Sequence, residues 1–190
     1  GSDVGALELR AERDGWGFRL SGTKAFISNA PDADVYTLFA RTTPGGGTRG
    51  ITAFIVNGDA PGLSGTPIEL LSAHPIGRLE LDGVFVPGDQ VLSEVDHGFK
   101  LAMRTLDLFR PSVGASVVGI AQAALDAAIA HADSRTAFGR PIREFQAVSH
   151  QVAEMATRLE AARALVYAAA SAYDGDEPAV ARPSAMAKLL

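Results

Sequence analysis

Apolar and polar positions alternate with a period of two over the first half of the chain and recur every three or four residues over the second. The stretch "ALELRAERDGWGFRLSGTKAFIS" alternates around Asp14-Gly15, which predicts a hairpin. "VYTLFAR" (35–41) and "GITAFIV" (50–56) are rich in β-branched and aromatic residues, which suit a pleated, half-buried surface. "TPGGGT" (43–48) separates them as a flexible turn. "GRLELDGVFVP" (77–87) repeats the pattern, with Asp82-Gly83 as its turn and Pro87 as its terminator. Short strands at regular spacing predict a small antiparallel β-barrel or sandwich over residues 1–93.

From residue 94 the pattern is helical. "GIAQAALDAAIAHA" consists largely of strong helix formers. After Glu144, the residues Val148, Val152, Met155, Leu159, Ala162 and Val166 form one apolar stripe. "DGDEP" (174–178) ends that helix, and "AVARPSAMAKLL" begins another. Pro111, Gly114 and Gly119 weaken the start of the first long helix, for close helix packing or for a kink. Strands followed by helices predict a segregated α+β chain: a β domain over 1–93, then an antiparallel helical bundle over 94–190.

Composition narrows the options. The 190 residues are 47% apolar and 21% charged, enough to bury a core. No cysteine is present, so disulfides and thiolate chemistry are excluded, and a cytoplasmic protein is expected. A net charge of −5 without a lysine-rich block argues against nucleic acid as a partner. No apolar run reads as long enough for a membrane span, and no secretory signal is visible. An anionic ligand therefore needs a local positive site. Both ends read as cut, and Gly1-Ser2 reads as an expression remnant or as the end of a motif.

One segment exceeds what a helix connection requires. "SRTAFGRPIREFQ" (134–146) needs Gly139 to turn sharply and Pro141 to restart a helix, but not its other side chains. Arg135 either complements the helix dipole or forks onto a pair of phosphate oxygens. On the second reading, Phe138 and Gln146 offer a flat surface and an amide to a base or ribose. In "GTKAFISNA" (22–30), Phe26 and Ser28 share a strand face by period two. They read as a core aromatic and a turn cap, or as an aromatic wall and hydroxyl beside a flavin edge. Glu144, Glu154 and Glu160 read as solvated. His74, His97, His131 and His150 are isolated, with no convincing metal-ligand spacing.

Together these segments resemble the acyl-CoA dehydrogenase family. The resemblance rests on "GSDVGALELRAERDGWGFRLSGTKAFISNAPDADVYTLFAR", "VFVPGDQVL", the stretch from "GFKLAMRTLDLFRP" through "SRTAFGRPIREFQ", and "SAMAKLL". It implies an FAD-dependent oxidation of the Cα–Cβ bond of an acyl-CoA thioester, in a homodimer or homotetramer that passes electrons to electron-transfer flavoprotein or a similar acceptor. By the same resemblance, Arg135, Phe138 and Gln146 reach the pyrophosphate and adenosine side of a neighbouring subunit's FAD. Phe26 and Ser28 lie beside the flavin ring. Ser2 contacts the phosphopantetheine arm or an FAD phosphate. Asp107 and Arg110 line the acyl-CoA site, although Arg110 also reads as a plain ion pair with Asp107. The catalytic glutamate is expected beyond Leu190, because Phe109 fills the other place where relatives carry it. A flavin oxidase or monooxygenase of the same fold, and a noncatalytic binding or assembly module, are the alternative readings.

Overall fold

Residues 3–71, 74–175 and 180–190 are described by the structure, a computed structural model. Two compact units divide the chain, Gly1–Met103 and Arg104–Leu190.

The first unit is built on strands β1 (Arg10–Asp14), β2 (Gly17–Ser28), β3 (Val35–Arg41), β4 (Ile51–Asn57), β5 (Leu63–Ile68), β6 (Ile76–Pro87) and β7 (Val91–Leu92). They form one sheet in the order β5-β6-β2-β1-β3-β4-β7. The predicted hairpin closes with Asp14 opposite Gly17. Every pairing is antiparallel except β1 with β3, which is parallel, so the sheet is mixed rather than purely antiparallel. Neighbouring strands lie about 4.8 Å apart, which would hold β2 and β4 well apart in a flat sheet with two strands between them. Instead the Phe18 and Phe54 rings meet at 5.3 Å. The sheet therefore curls around a core of Leu9, Phe18, Leu20, Leu38, Phe54, Val56, Leu79, Val84 and Val86.

Asp82-Gly83 is not a turn. β6 runs straight through it, and its register against β2 shifts between Leu20 and Gly22. Gly83 takes φ 62°, the left-handed residue of a bulge. The extra residue changes the parity of the buried positions from Leu79 and Leu81 to Val84 and Val86, so both halves of the strand keep facing the core. A bulge and a turn use the same Asp-Gly signal, and only pairing with β2 separates them.

A polar knot secures the end of this unit. The fully buried Thr52 shares a hydrogen bond with the Thr42 hydroxyl (2.7 Å) and accepts the Asp96 N–H (2.7 Å). The Asp96 carboxylate accepts the hydroxyls of Thr42 and Thr43 (2.6 and 2.8 Å).

Helix α1 (Gly98–Ser134) starts in the first unit and continues into the second, which adds a two-stranded ribbon of β8 (Thr136–Ala137) and β9 (Arg140–Pro141), α2 (Gln146–Asp174) and α3 (Ala181–Leu189). Val118 and Leu125 of α1 pack on Leu159 of α2, with Val152, Ala162 and Val166 beside them. The predicted stripe on α2 is thus largely the packing face, although Met155 is exposed. α2 stops at Asp174, and the rest of "DGDEP" lies outside the described residues apart from Gly175, which caps the helix. Of the two roles open to Gly114, the structure realises close packing: a Cβ there would stand 2.5 Å from the Ala187 carbonyl of α3. Against the expectation of no such stretch, α1 is long and apolar enough, by length and composition, to cross a membrane: an 18-residue stretch of it has a mean hydropathy of 1.6. Its Ala, Val, Leu and Ile raise the mean, while Ser112, Ser116 and Gln122 interrupt any unbroken apolar run.

Candidate functional site

The turn between α1 and α2 carries one part of the site. The Arg135 N–H still bonds to the His131 carbonyl (2.9 Å), and its own carbonyl accepts the Ile142 N–H (2.8 Å). Between them β8 and β9 are joined by Phe138-Gly139, with φ 52° and 79°. Two positive φ values in a two-residue loop define a type I′ turn. Gly139 adopts this freely, whereas a side-chain-bearing residue there is disfavoured by about 1–2 kcal/mol. Burial does not compensate Phe138, whose side chain is 96% exposed. An edge contact with Phe145 at 6.1 Å offsets part of the strain. A strained aromatic held out at the surface is a mark of function rather than packing. Pro141 does not restart the helix. It ends β9, a short 3-10 turn (Ile142–Glu144) follows, and α2 begins at Gln146.

Two other arginines of this turn are engaged. Arg143 bonds to Asp133 (3.0 Å), and Arg140 lies over the Phe145 ring at 4.3 Å. Arg135 is exposed, and among the described residues its guanidinium has no hydrogen bond or ion pair. The α2 N-terminus has no side-chain cap, and exposed Gln146 opens it. An unpaired fork, uncapped helix amides, a side-chain amide and an exposed ring share one turn. That donor set suits a diphosphate with a flat group attached. Arg135 also sits where a helix dipole favours a cation, and the two roles are compatible.

In the first unit, β2 carries Phe26 and Ser28. The ladder to β6 slips between Lys24 and Ile27, and Phe26 stands there at φ 57°. The bulge breaks the period-two argument, but it turns Phe26 outward (72% exposed), which removes the core-aromatic reading. Ile27 packs against the core. Ser28 is exposed, and among the described residues its hydroxyl has no partner. Lys24 went unread in the sequence. It is half-buried, and burial pushes its ammonium below the ordinary lysine range. Period two places it on the same face as buried Phe18 and Leu20, so the alternation carried the signal. Ser2 lies outside the described residues. The segment after it is tied down by Arg41, which donates to the carbonyls of Gly5 (2.7 Å) and Leu7 (3.3 Å).

On α1, Asp107 and Arg110 form a half-buried ion pair at 2.8 Å, so the plain reading of Arg110 is realised. Phe109 beside them is exposed. Glu144, Glu154 and Glu160 are exposed, the last two paired with Arg158 and Arg163. His97 pairs with Glu94 (2.8 Å), and His74, His131 and His150 are exposed. Among the described residues no group of three or more acidic or histidine side chains is placed to hold a metal.

Comparison with known proteins identifies the family. Residues 1–84 match the sequence model of the acyl-CoA dehydrogenase middle domain, and residues 96–190 match that of the C-terminal domain. Cyclohexane-1-carbonyl-CoA dehydrogenase of Geobacter metallireducens is 43% identical over 177 residues, covering 92% of this chain and 46% of that protein. The structure of butyryl-CoA dehydrogenase from Megasphaera elsdenii superposes with a TM-score of 0.92 at 37% identity, covering 98% of this chain and 50% of that one. The prolyl acyl carrier protein oxidase AnaB superposes with a TM-score of 0.93 at 30% identity, with the same coverage of both chains. This chain thus spans about half the length of these relatives.

Proposed function

Because the chain belongs to the acyl-CoA dehydrogenase family, we propose that it supplies the flavin-facing sheet and helical turn of an FAD-dependent acyl-CoA dehydrogenase. The observation that carries this is the unpaired Arg135 fork beside the strained, exposed Phe138. These residues fit FAD: Arg135 and the α2 amides would take the diphosphate, with Phe138 and Gln146 toward the adenosine. Phe26 and Ser28 would face the ring system. When bound, FAD supplies the acceptor for the hydride that leaves the β-carbon of the thioester. By family membership the α-proton goes to a carboxylate; Glu144, Glu154 and Glu160 are exposed, and the base is assigned, as the family resemblance implies, to sequence outside residues 1–190. Ser2, Asp107 and Arg110 are assigned to the acyl-CoA side. If Arg135 serves a neighbour's cofactor, the working unit is a homodimer or homotetramer. Electron-transfer flavoprotein or a similar carrier would then reoxidise the flavin.

Saturating the complete protein with a panel of acyl-CoA thioesters tests this reading. Bleaching of the flavin absorbance by at least one of them is expected, and a protein that takes up FAD yet is bleached by none contradicts it. The likeness to AnaB favours a second reading, a flavin oxidase of the same fold. Oxygen consumption matched to turnover would select the oxidase.

A further inference from the structure

A proline inside a helix has no N–H to give to the carbonyl four residues back. In α1 that proline is Pro111, and the deprived carbonyl belongs to Asp107. It is not left open: Ser184 of α3 donates its hydroxyl to the Asp107 carbonyl oxygen at 2.7 Å across a sequence separation of 77 residues. Ser184 is fully buried, and its position is fixed by the close approach of α3 to Gly114 described above. A side chain from a neighbouring helix thus stands in for the missing amide. The same turn of α1 carries the half-buried Asp107–Arg110 pair.

We propose that Ser184 is a positioning residue: by satisfying the Asp107 carbonyl at the proline, it fixes the turn that presents Asp107 and Arg110 to the acyl thioester. This rests on the reading of α1 as one wall of the substrate site. Without the hydroxyl, the carbonyl must find water or the helix must bend, and Arg110 swings with it.

The test uses the complete, FAD-loaded protein in four forms: parent, Ser184→Ala, Pro111→Ala and the double variant. Pro111→Ala returns an N–H to residue 111, so the Ser184 hydroxyl becomes redundant. We expect Ser184→Ala to raise the acyl-CoA KM about tenfold in the parent background, equivalent to ~1.4 kcal/mol, with a much smaller change in kcat. In the Pro111→Ala background the same substitution should change KM by less than about twofold, the coupling expected of two groups that serve one carbonyl. Equal effects in both backgrounds, or an unchanged KM in both, overturn the proposal. A parent that no acyl-CoA bleaches removes the substrate site, and the positioning role falls with it. The unfolding midpoints of the four proteins then still separate the two failures: a drop from Ser184→Ala confined to the parent background shows that the hydroxyl does replace the amide.

Discussion

Phe138 holds a backbone conformation that suits glycine or asparagine while its ring stands in solvent. Phe138→Asn would give Asn-Gly, the preferred pair for this turn. Relief of the left-handed strain should stabilise the protein by about 1 kcal/mol, less the lost contact with Phe145. The same variant should bind FAD more weakly. Thermal unfolding beside an FAD titration checks both, and a variant that is both less stable and unimpaired in FAD binding contradicts the reading. Lys24 gives a pH signature. Its folded pKa lies below the unfolded value, so the folded state binds fewer protons between the two and stability rises with pH there. Lys24→Met should raise the unfolding midpoint at neutral pH, and its advantage should shrink as pH climbs toward the ordinary lysine range. A pH-independent difference would count against this. Arg135, Phe138 and Gln146 stood out as candidates because they exceed what a helix connection requires. The bulge that decides between the two readings of Phe26 was not legible, because a bulge is a property of the pairing and leaves no mark in one strand's alternation.

Elements were legible where local signals suffice. The hairpin at Asp14-Gly15, the alternation in β3 and the stripe on α2 each follow from residues close in sequence. The parallel pairing of β1 with β3 and the continuation of β6 through Asp82-Gly83 depend on distant partners, so no local pattern could announce them. Alanines spread over every face of α1 likewise hid which side packs. Its two candidate glycines now separate into different roles. A Cβ at Gly119 would meet nothing within 4 Å, so Gly119→Ala should stabilise by up to about 1 kcal/mol through helix propensity alone. At Gly114 the same gain is opposed by the Ala187 backbone carbonyl, which cannot rotate away. Overpacking at such a contact costs about 1–3 kcal/mol, so Gly114→Ala should be net destabilising. Unfolding midpoints that move in the same direction would break this account of α1 against α3.

At the scale of the molecule, each unit carries its own share of the candidate groups: an exposed aromatic and hydroxyl on β2, and an unpaired cation with an exposed aromatic in the turn between α1 and α2. The division into strands then helices was legible because the hydrophobic period itself changes along the chain, from two to three or four. That the chain matches two successive domains of one family became clear only from the order of its motifs and from relatives about twice its length. The account turns on whether the Arg135 guanidinium meets the diphosphate of FAD. The most direct measurement is the affinity of the complete apoprotein for FAD, parent against Arg135→Ala. Loss of a charge-assisted hydrogen bond of about 2 kcal/mol predicts an affinity weaker by roughly thirtyfold, with Arg135→Lys in between. An Arg135→Ala protein that binds FAD as tightly as the parent would contradict it.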